Sequence, residues 1–435
     1  MPVIVVVGVY WGDEGKGRVV DLLARECQVV ARYAGGANTG HTVINDLGEF
    51  RLKLVPAGIF NPDCLCLIGN GVVVTPQVLL DEIAELTARG VAVTNLRISD
   101  RAHVVLPYHL IIEQQEELRR GPFAIGTTLN GIGPAYGDKT SRDGIRMAEL
   151  IQPAVLRERL ANVLARKNEL ITRVYGLPPL DFAPLYEQYR AYGERLAPYV
   201  TDTGALIRQA ARAGKTVLLE GAQATLLDLD LGTYPYVTSS HPTAAGACLG
   251  VGLPPSALTH VVGVVKAYTT RVGSGPLPTE LVGAVGERLR ELGHEYGTRT
   301  GRPRRCGWLD AVLGRYGCEV NGVTSIALTR LDILDTFPEV KIAVAYELDG
   351  RRIETLPADL EALARCQPVY ETLPGWLTPT SAARTFEELP PNARRYVERV
   401  GELLGAPVSL VGVGPSRLQA VTNGGLPWEG GHAAQ

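Results

Sequence analysis

The stretch VIVVVGVYWGDEGKGRVVDLLARE, Val3–Glu26, decides the fold. Val3–Val7 is an unbroken β-branched run, which predicts a strand buried on both faces of a parallel sheet. A glycine-rich turn follows at Gly12–Gly17 and leads into the helical pattern VVDLLARE. In a strand–glycine loop–helix unit, free backbone N–H groups and the helix dipole both favour an anion at the turn. Lys16 adds a point charge there. The loop is not a strict Walker A motif: Tyr10 stands where the first glycine belongs, and Gly17 replaces the magnesium-binding hydroxyl. Asp13, inside the loop, is a candidate metal ligand or base. A plain tight turn is the alternative reading.

Outward from this unit, further strands are expected at Val29–Tyr33, Cys64–Ile68, Thr216–Leu219, Val261–Ala267, Ser325–Leu328, Ile342–Tyr346 and Val408–Val411. Thr75-Pro76 reads as an N-cap with proline at the first helical position, opening a helix that runs to Arg89 and stops at Gly90. Helical patterns also cover Glu287–Leu292 and Ala382–Leu404. The alternation predicts an α/β fold with a mainly parallel central sheet. We expect a single catalytic domain over 1–420. It includes a mostly helical insertion at about 100–213, densest from Ile151 to Ala213, and 421–435 is expected to fray as a tail.

Composition narrows the function. The 435 residues are 46% apolar and 20% charged, enough to bury a large core. A formal net charge of −3 argues against holding nucleic acid by charge. No apolar run reaches the roughly 18 residues of a membrane helix. The N-terminus lacks the basic region of a secretory signal. The seven cysteines (Cys27, Cys64, Cys66, Cys248, Cys306, Cys318, Cys366) are odd in number and scattered, which reads as reduced thiols and a cytoplasmic protein. The 49 glycines recur in GIGP (Gly131–Pro134), GSGP (Gly273–Pro276) and GVGP (Gly412–Pro415), as where backbone approaches a ligand.

Five further constellations carry chemistry. GGANTGHT, Gly35–Thr42, places His41 between small residues, where it can reach a phosphate; an idle loop histidine is the alternative. Gly126–Gly144 collects hydroxyls, glycines, Lys139 and Arg142, either as a phosphate loop or as a solvated connection. Glu220–Gly246 offers the Gln223 amide, able to donate and accept at a base edge, and the hydroxyls Thr238, Ser239 and Ser240. Gly297–Asp310 concentrates Arg299, Arg302, Arg304 and Arg305, which clamp carboxylates and phosphates or simply face water. In TRLD, Thr329–Asp332, an aspartate at a strand end can accept both N1–H and N2–H of guanine, favouring GTP over ATP.

These motifs, WGDEGKG, GHT, GTT…GIGPAY, EGAQ, GTYPYVTSS, TGRPRRCGWLD and VGVGP, occur in the order seen in the adenylosuccinate synthetase family, which the chain resembles from about Val3 to Arg417. The resemblance implies a P-loop-NTPase-like α/β fold. It also implies a homodimeric GTP-dependent carbon–nitrogen ligase that joins L-aspartate to inosine monophosphate (IMP), with Mg²⁺ as cofactor, in AMP biosynthesis. Asp13 matches the catalytic base and, with the Gly40 carbonyl, the metal ligands; His41 matches the catalytic acid. IMP contacts carry over to Asp13, Glu14, Gly15, Lys16, Asn38, Thr39, Gly40, His41, Thr128, Gln223, Thr238 and Arg302, with Arg142 reaching the neighbouring subunit's site. GTP contacts carry over to Gly12, Asp13, Glu14, Gly15, Lys16, Gly17, Arg18, Gly40, His41, Thr42, Arg304, Arg330, Leu331, Asp332, Gly412, Val413 and Gly414. Aspartate contacts fall on Thr298, Arg299, Thr300, Gly301, Arg302, Pro303 and Arg304.

The chain departs from the family pattern at Tyr10 (usually Gln), Asn130 (usually basic), Arg330 (usually Lys), and Ala224, Leu231 and Ser416 (usually Gly, His and Asp). Arg299 adds a cation to the amino-acid loop. Two rival functions are a GTP-binding switch, which has no use for Asp13 or His41, and a related ligase for another amino acid or purine nucleotide.

Overall fold

The computed structural model describes residues 2–45, 47–297, 301, 303–416 and 418–425. Its centre is a ten-stranded sheet. In chain order the strands are β1 (Val3–Gly8), β2 (Val29–Arg32), β3 (Leu65–Ile68), β4 (Leu96–Ser99), β5 (Val200–Thr201), β6 (Val217–Glu220), β7 (His260–Lys266), β8 (Ser325–Thr329), β9 (Val408–Gly412) and β10 (Ala420–Thr422). Their spatial order is β10-β9-β8-β7-β1-β6-β2-β3-β4-β5. Every pair is parallel except β9 with β10.

The opening valine run sits at the middle because it has no polar face. Ile4, Val5, Val6 and Val7 are fully buried, each burial contributing about 1.5–3 kcal/mol. Ile4 and Val6 join a core cluster on one side of the sheet, Val3, Val5 and Val7 a second cluster on the other. That is the period-2 alternation of a strand covered on both faces.

The helix Pro76–Ala88 has Thr75 as N-cap and Pro76 in its first turn, but the Thr75 hydroxyl makes no capping bond. The expected helix over Ala382–Leu404 is shorter. It spans Pro391–Leu404, because Pro390 and Pro391 cannot lie inside a helix but can open one. The strand expected at Ile342–Tyr346 lies within Glu339–Leu348, in a separate four-stranded sheet.

Between β4 and β6 run the helices Pro107–Arg120, Ile132–Ser141, Met147–Leu150, Pro153–Arg173, Phe182–Leu196 and Thr203–Arg212. Three of them meet at a buried polar pin: His109 Nε2 lies 3.0 Å from Asp138 Oδ2, and the Lys167 ammonium bonds the other Asp138 oxygen. The chain returns to the sheet edge through β5, which pairs with β4 at Ile98 and Ser99. At the other edge, β10 straddles the boundary expected at 420/421. All seven cysteines are buried and free of disulfides. No helix among the described residues is long and apolar enough to cross a membrane.

Candidate active site

The sequence motifs meet because each follows the carboxyl end of a parallel strand. The glycine loop 12–17 leaves β1, the 35–42 segment leaves β2, and Gln223 follows β6. Arg330–Asp332 follow β8, and Gly412–Gly414 end β9. Ligands in open parallel sheets bind in the crevice outside these ends.

The first loop is already an anion cradle, and the anion it holds is its own. Gly12, Asp13 and Gly15 take positive φ values of 92°, 59° and 88°, wrapping the backbone around the Glu14 carboxylate. Glu14 Oε1 accepts from the backbone N–H of Tyr10 (3.1 Å) and Gly12 (2.8 Å), while Oε2 pairs with Lys16 Nζ at 2.6 Å. A Cβ on Gly8 would stand 2.5 Å from Glu14 Oε2 and 2.8 Å from Lys16 Nζ, so only glycine fits beneath the pair. Gly15 caps the helix Lys16–Leu23.

His41 packs directly on this loop: a Cβ on Gly17 would meet the Cβ of His41 at 2.6 Å. The imidazole is buried, its Nε2 lying 3.6 Å from Glu220 Oε1 and lacking a hydrogen-bond partner among the described residues. Burial, then the neighbouring Arg32, hold its pKa down to about 3. The ring is therefore neutral here and offers one N–H. Glu220 also accepts from the Ala57 N–H (2.8 Å), and its Oε1 lies 3.5 Å from Arg32, whose Nη2 donates to Thr39 Oγ1 at 2.6 Å.

Gln223 occupies positive φ (53°), with both amide atoms buried and unpartnered among the described residues. They lie against Gly35, where a Cβ would come within 3.1–3.2 Å. Tyr136 joins the 126–144 stretch to the same wall, donating to the Gly71 carbonyl (2.6 Å) and accepting from the Gly35 N–H (3.0 Å). The half-buried Asn38 accepts from Gly36 N–H at 3.1 Å. Thr128 is exposed and accepts from Asn130 Nδ2 at 2.9 Å. The backbone N–H groups of Ile125, Gly126 and Thr127 all converge on the Glu117 carboxylate at 2.8–3.3 Å. Thr238 is half-buried, its N–H on the Leu227 carbonyl at 2.8 Å.

On the opposite side, Arg18 stitches helix to strand end: its guanidinium donates to the Gly414 carbonyl and, at 2.6 Å, to that of Gln419. The Thr329 hydroxyl donates to the Glu14 carbonyl at 2.6 Å. Arg330, at φ 62°, donates to the Gly293 carbonyl at 2.8 Å. Burial raises the Asp332 carboxyl above its ordinary value, partly offset by Arg330 and Arg18. Leu331 is buried beneath them.

Asp13 is the exposed carboxylate of the loop (42% of its side chain), and its Oδ2 lies 2.9 Å from Arg304 Nε. Arg142 lies exposed at the C-terminal end of Ile132–Ser141 and makes no side-chain hydrogen bond or ion pair among the described residues. Thr298, Arg299, Thr300 and Arg302 lie outside the described residues; Gly301, Pro303 and Arg304 lie within them.

The departures resolve individually. Tyr10 turns away from the crevice into the core, where its hydroxyl donates to the Asp310 carbonyl at 2.7 Å. Ala224 is buried against Gly8, Leu231 is surface-exposed, and the Ser416 N–H bonds the Gln419 side chain at 3.1 Å. Sequence reasoning missed the buried charges Arg32, Glu220, Lys266, Arg271 and Glu295. Three of them had a signal: a charged residue closing an otherwise apolar strand, as in VVAR, VLLE and VVGVVK.

A protein-family model described as Adenylosuccinate synthetase matches residues 5–421. The chain is 53% identical over 424 residues to an adenylosuccinate synthetase of Heliobacterium modesticaldum, covering 98% of this chain and 99% of that one. It is 53% identical over 423 residues to one from Caldanaerobacter subterraneus, covering 97% and 99%. Among solved structures, the fully ligated adenylosuccinate synthetase of Plasmodium falciparum superposes with a TM-score of 0.92 at 36% identity, covering 97% of this chain and all of that one.

Proposed function

The chain belongs to the adenylosuccinate synthetase family, and from that premise we propose how its residues divide the reaction. The enzyme is a GTP-dependent ligase of AMP biosynthesis. It joins L-aspartate to IMP, giving adenylosuccinate, GDP and phosphate, with Mg²⁺ as cofactor. The chemical problem is that the O6 of IMP is a poor leaving group. Phosphorylation converts it to phosphate before an amine displaces it.

Asp13 is the base. It takes the N1 proton of IMP, O6 attacks the γ-phosphorus of GTP, and GDP leaves; the aspartate amine then adds at C6 and phosphate departs. The observation supporting this role is the position of Asp13 as the exposed carboxylate of a loop whose other carboxylate, Glu14, is committed to backbone N–H groups and Lys16. His41, neutral and packed on the loop, donates a hydrogen bond to the transferring phosphoryl group. The Asp13 carboxylate and the Gly40 carbonyl are oxygen donors of the type Mg²⁺ prefers, and they would hold the ion together with phosphate oxygens. When bound, the ion neutralises charge on the phosphates.

The orphaned Gln223 amide reads the base of IMP, supported by Asn38, Thr128, Thr238 and Arg302. Lys16, Arg18 and the loop N–H groups take the GTP phosphates, Asp332 and Arg330 the guanine, and 298–304 the aspartate. We further read 1–420 as one catalytic domain containing the helical insertion. In this reading the enzyme is a cytoplasmic homodimer in which Arg142 reaches the partner's IMP phosphate.

Phosphate release from GTP and Mg²⁺, with IMP and aspartate omitted in turn, tests the reaction. We expect release only when both are present, with adenylosuccinate as product; release indifferent to both would overturn it. Mixing Asp13→Ala with Arg142→Leu tests the shared site. Random hybrids should recover about a quarter of wild-type activity, and no recovery would place Arg142 outside the neighbour's site.

A further inference from the structure

Behind Asp13 lies a chain of buried charges, of which Glu295 and Lys266 have no part in the proposed reaction. Arg304 bridges it: Nε faces Asp13 Oδ2 at 2.9 Å, and Nη1 donates to Glu295 Oε2 at 2.7 Å. Glu295 has no exposed surface. Its other oxygen receives Lys266 Nζ at 2.8 Å and the Tyr268 hydroxyl at 2.5 Å, and Lys266 also donates to Thr270 Oγ1 at 2.8 Å. The Glu295 segment is pinned twice more, by Arg330 on the Gly293 carbonyl (2.8 Å) and by the Arg304 N–H on the Glu295 carbonyl (2.9 Å). Burial alone would raise the Glu295 carboxyl, but Lys266 and then Arg330 outweigh it and bring it to about 2.

A buried ion pair is a weak device for stability, because well-packed apolar residues of similar volume do as well or better. It does fix direction. Arg304 is the one guanidinium of the 298–305 segment that touches Asp13 among the described residues. A guanidinium held by one edge presents its other edge in a fixed orientation.

We propose that Glu295, anchored by Lys266 and Tyr268, is a positioning residue that orients Arg304 for both the aspartate substrate and the Asp13 carboxylate. This rests on the reading of Arg304 as an aspartate contact and Asp13 as the base. Glu295 touches neither substrate nor reacting atoms; it acts through Arg304.

The test separates orientation from folding. Glu295→Gln alone strands the Lys266 ammonium and is expected to lower the unfolding midpoint. Glu295→Gln/Lys266→Met removes both charges of the buried pair, leaves the net charge unchanged and should recover most of that loss. If Glu295 orients Arg304, the double variant still shows an aspartate KM raised by about tenfold to a hundredfold, a larger change than any in the IMP KM. Arg304→Leu should raise the aspartate KM as well, and adding the two substitutions to it should raise KM no further, because all three act through one guanidinium. A double variant that is stable and has a wild-type aspartate KM overturns the proposal while leaving Arg304 in its role. A wild-type aspartate KM in Arg304→Leu overturns the reading of Arg304, and the proposal with it.

Discussion

The two walls of the crevice differ in how their polar groups are satisfied. On the side proposed for guanine, protein meets protein: Arg18 closes on the Gly414 and Gln419 carbonyls, Thr329 on Glu14, and Arg330 on Gly293. On the side proposed for IMP, the Gln223 amide and His41 Nε2 are buried without a partner among the described residues. An unsatisfied buried polar group costs about 1–3 kcal/mol. One that persists calls for an explanation, and a ligand that supplies the bonds is one. The first wall is held by bonds within the protein, and the second leaves polar groups for a ligand to meet.

The largest expected effect lies between the walls. Asp13→Asn keeps the size of the side chain but removes the base, so kcat should fall by roughly 10²–10⁴-fold. Near-normal turnover would break the assignment. Next, Arg18→Met and Gln223→Leu should respond in opposite ways. Arg18→Met loses charge-assisted bonds of about 1.5–3 kcal/mol each, so it should lower the unfolding midpoint and raise the GTP KM. Gln223→Leu removes an orphaned amide. It should raise the IMP KM about tenfold while leaving the unfolding midpoint unchanged or higher. If Gln223→Leu destabilises as much as Arg18→Met, the distinction between the walls fails.

The smallest effect on activity is expected beneath both walls. Asp310 is fully buried; burial raises its carboxyl to about 7 from an ordinary 3.8, against the Tyr346 hydroxyl and the Leu313 N–H that it accepts. A raised folded pKa means the contribution to stability is complete below about pH 4 and is lost as pH rises through about 7, on the order of 4 kcal/mol in all. Asp310→Asn should therefore flatten the fall in unfolding midpoint between these pH values with kcat unchanged. An unaltered slope would place that pH dependence elsewhere.

The strands that carry the site were legible because each is a short apolar run ending in glycine, charge or TRLD, and period and punctuation are local signals. Val200–Thr201 was not legible, since two residues hold no period and only pairing with Ile98 and Ser99 makes them a strand. Apolar spacing continues back to Ala382, but Pro390 and Pro391 set the helix start at 391. Tyr10 stands where the family usually has Gln, and its direction is set by a bond to Asp310, three hundred residues away, which no local pattern reveals. The pairing of Lys266 with Glu295 likewise depends on tertiary approach, and strand patterning cannot choose a partner. The arginine-rich segment is one cluster in sequence, whereas in the fold Arg304 and Arg305 part ways, to Asp13 and Glu295 and to Glu280 respectively.

The proposed reaction requires O6 of IMP to leave as an oxygen of phosphate. IMP carrying oxygen-18 at O6, turned over with GTP, Mg²⁺ and aspartate, tests this directly by mass analysis of the released phosphate. We expect one labelled oxygen in each phosphate and unlabelled adenylosuccinate. Phosphate free of label, with the oxygen-18 in water, would contradict phosphorylation at O6 and the role given to Asp13.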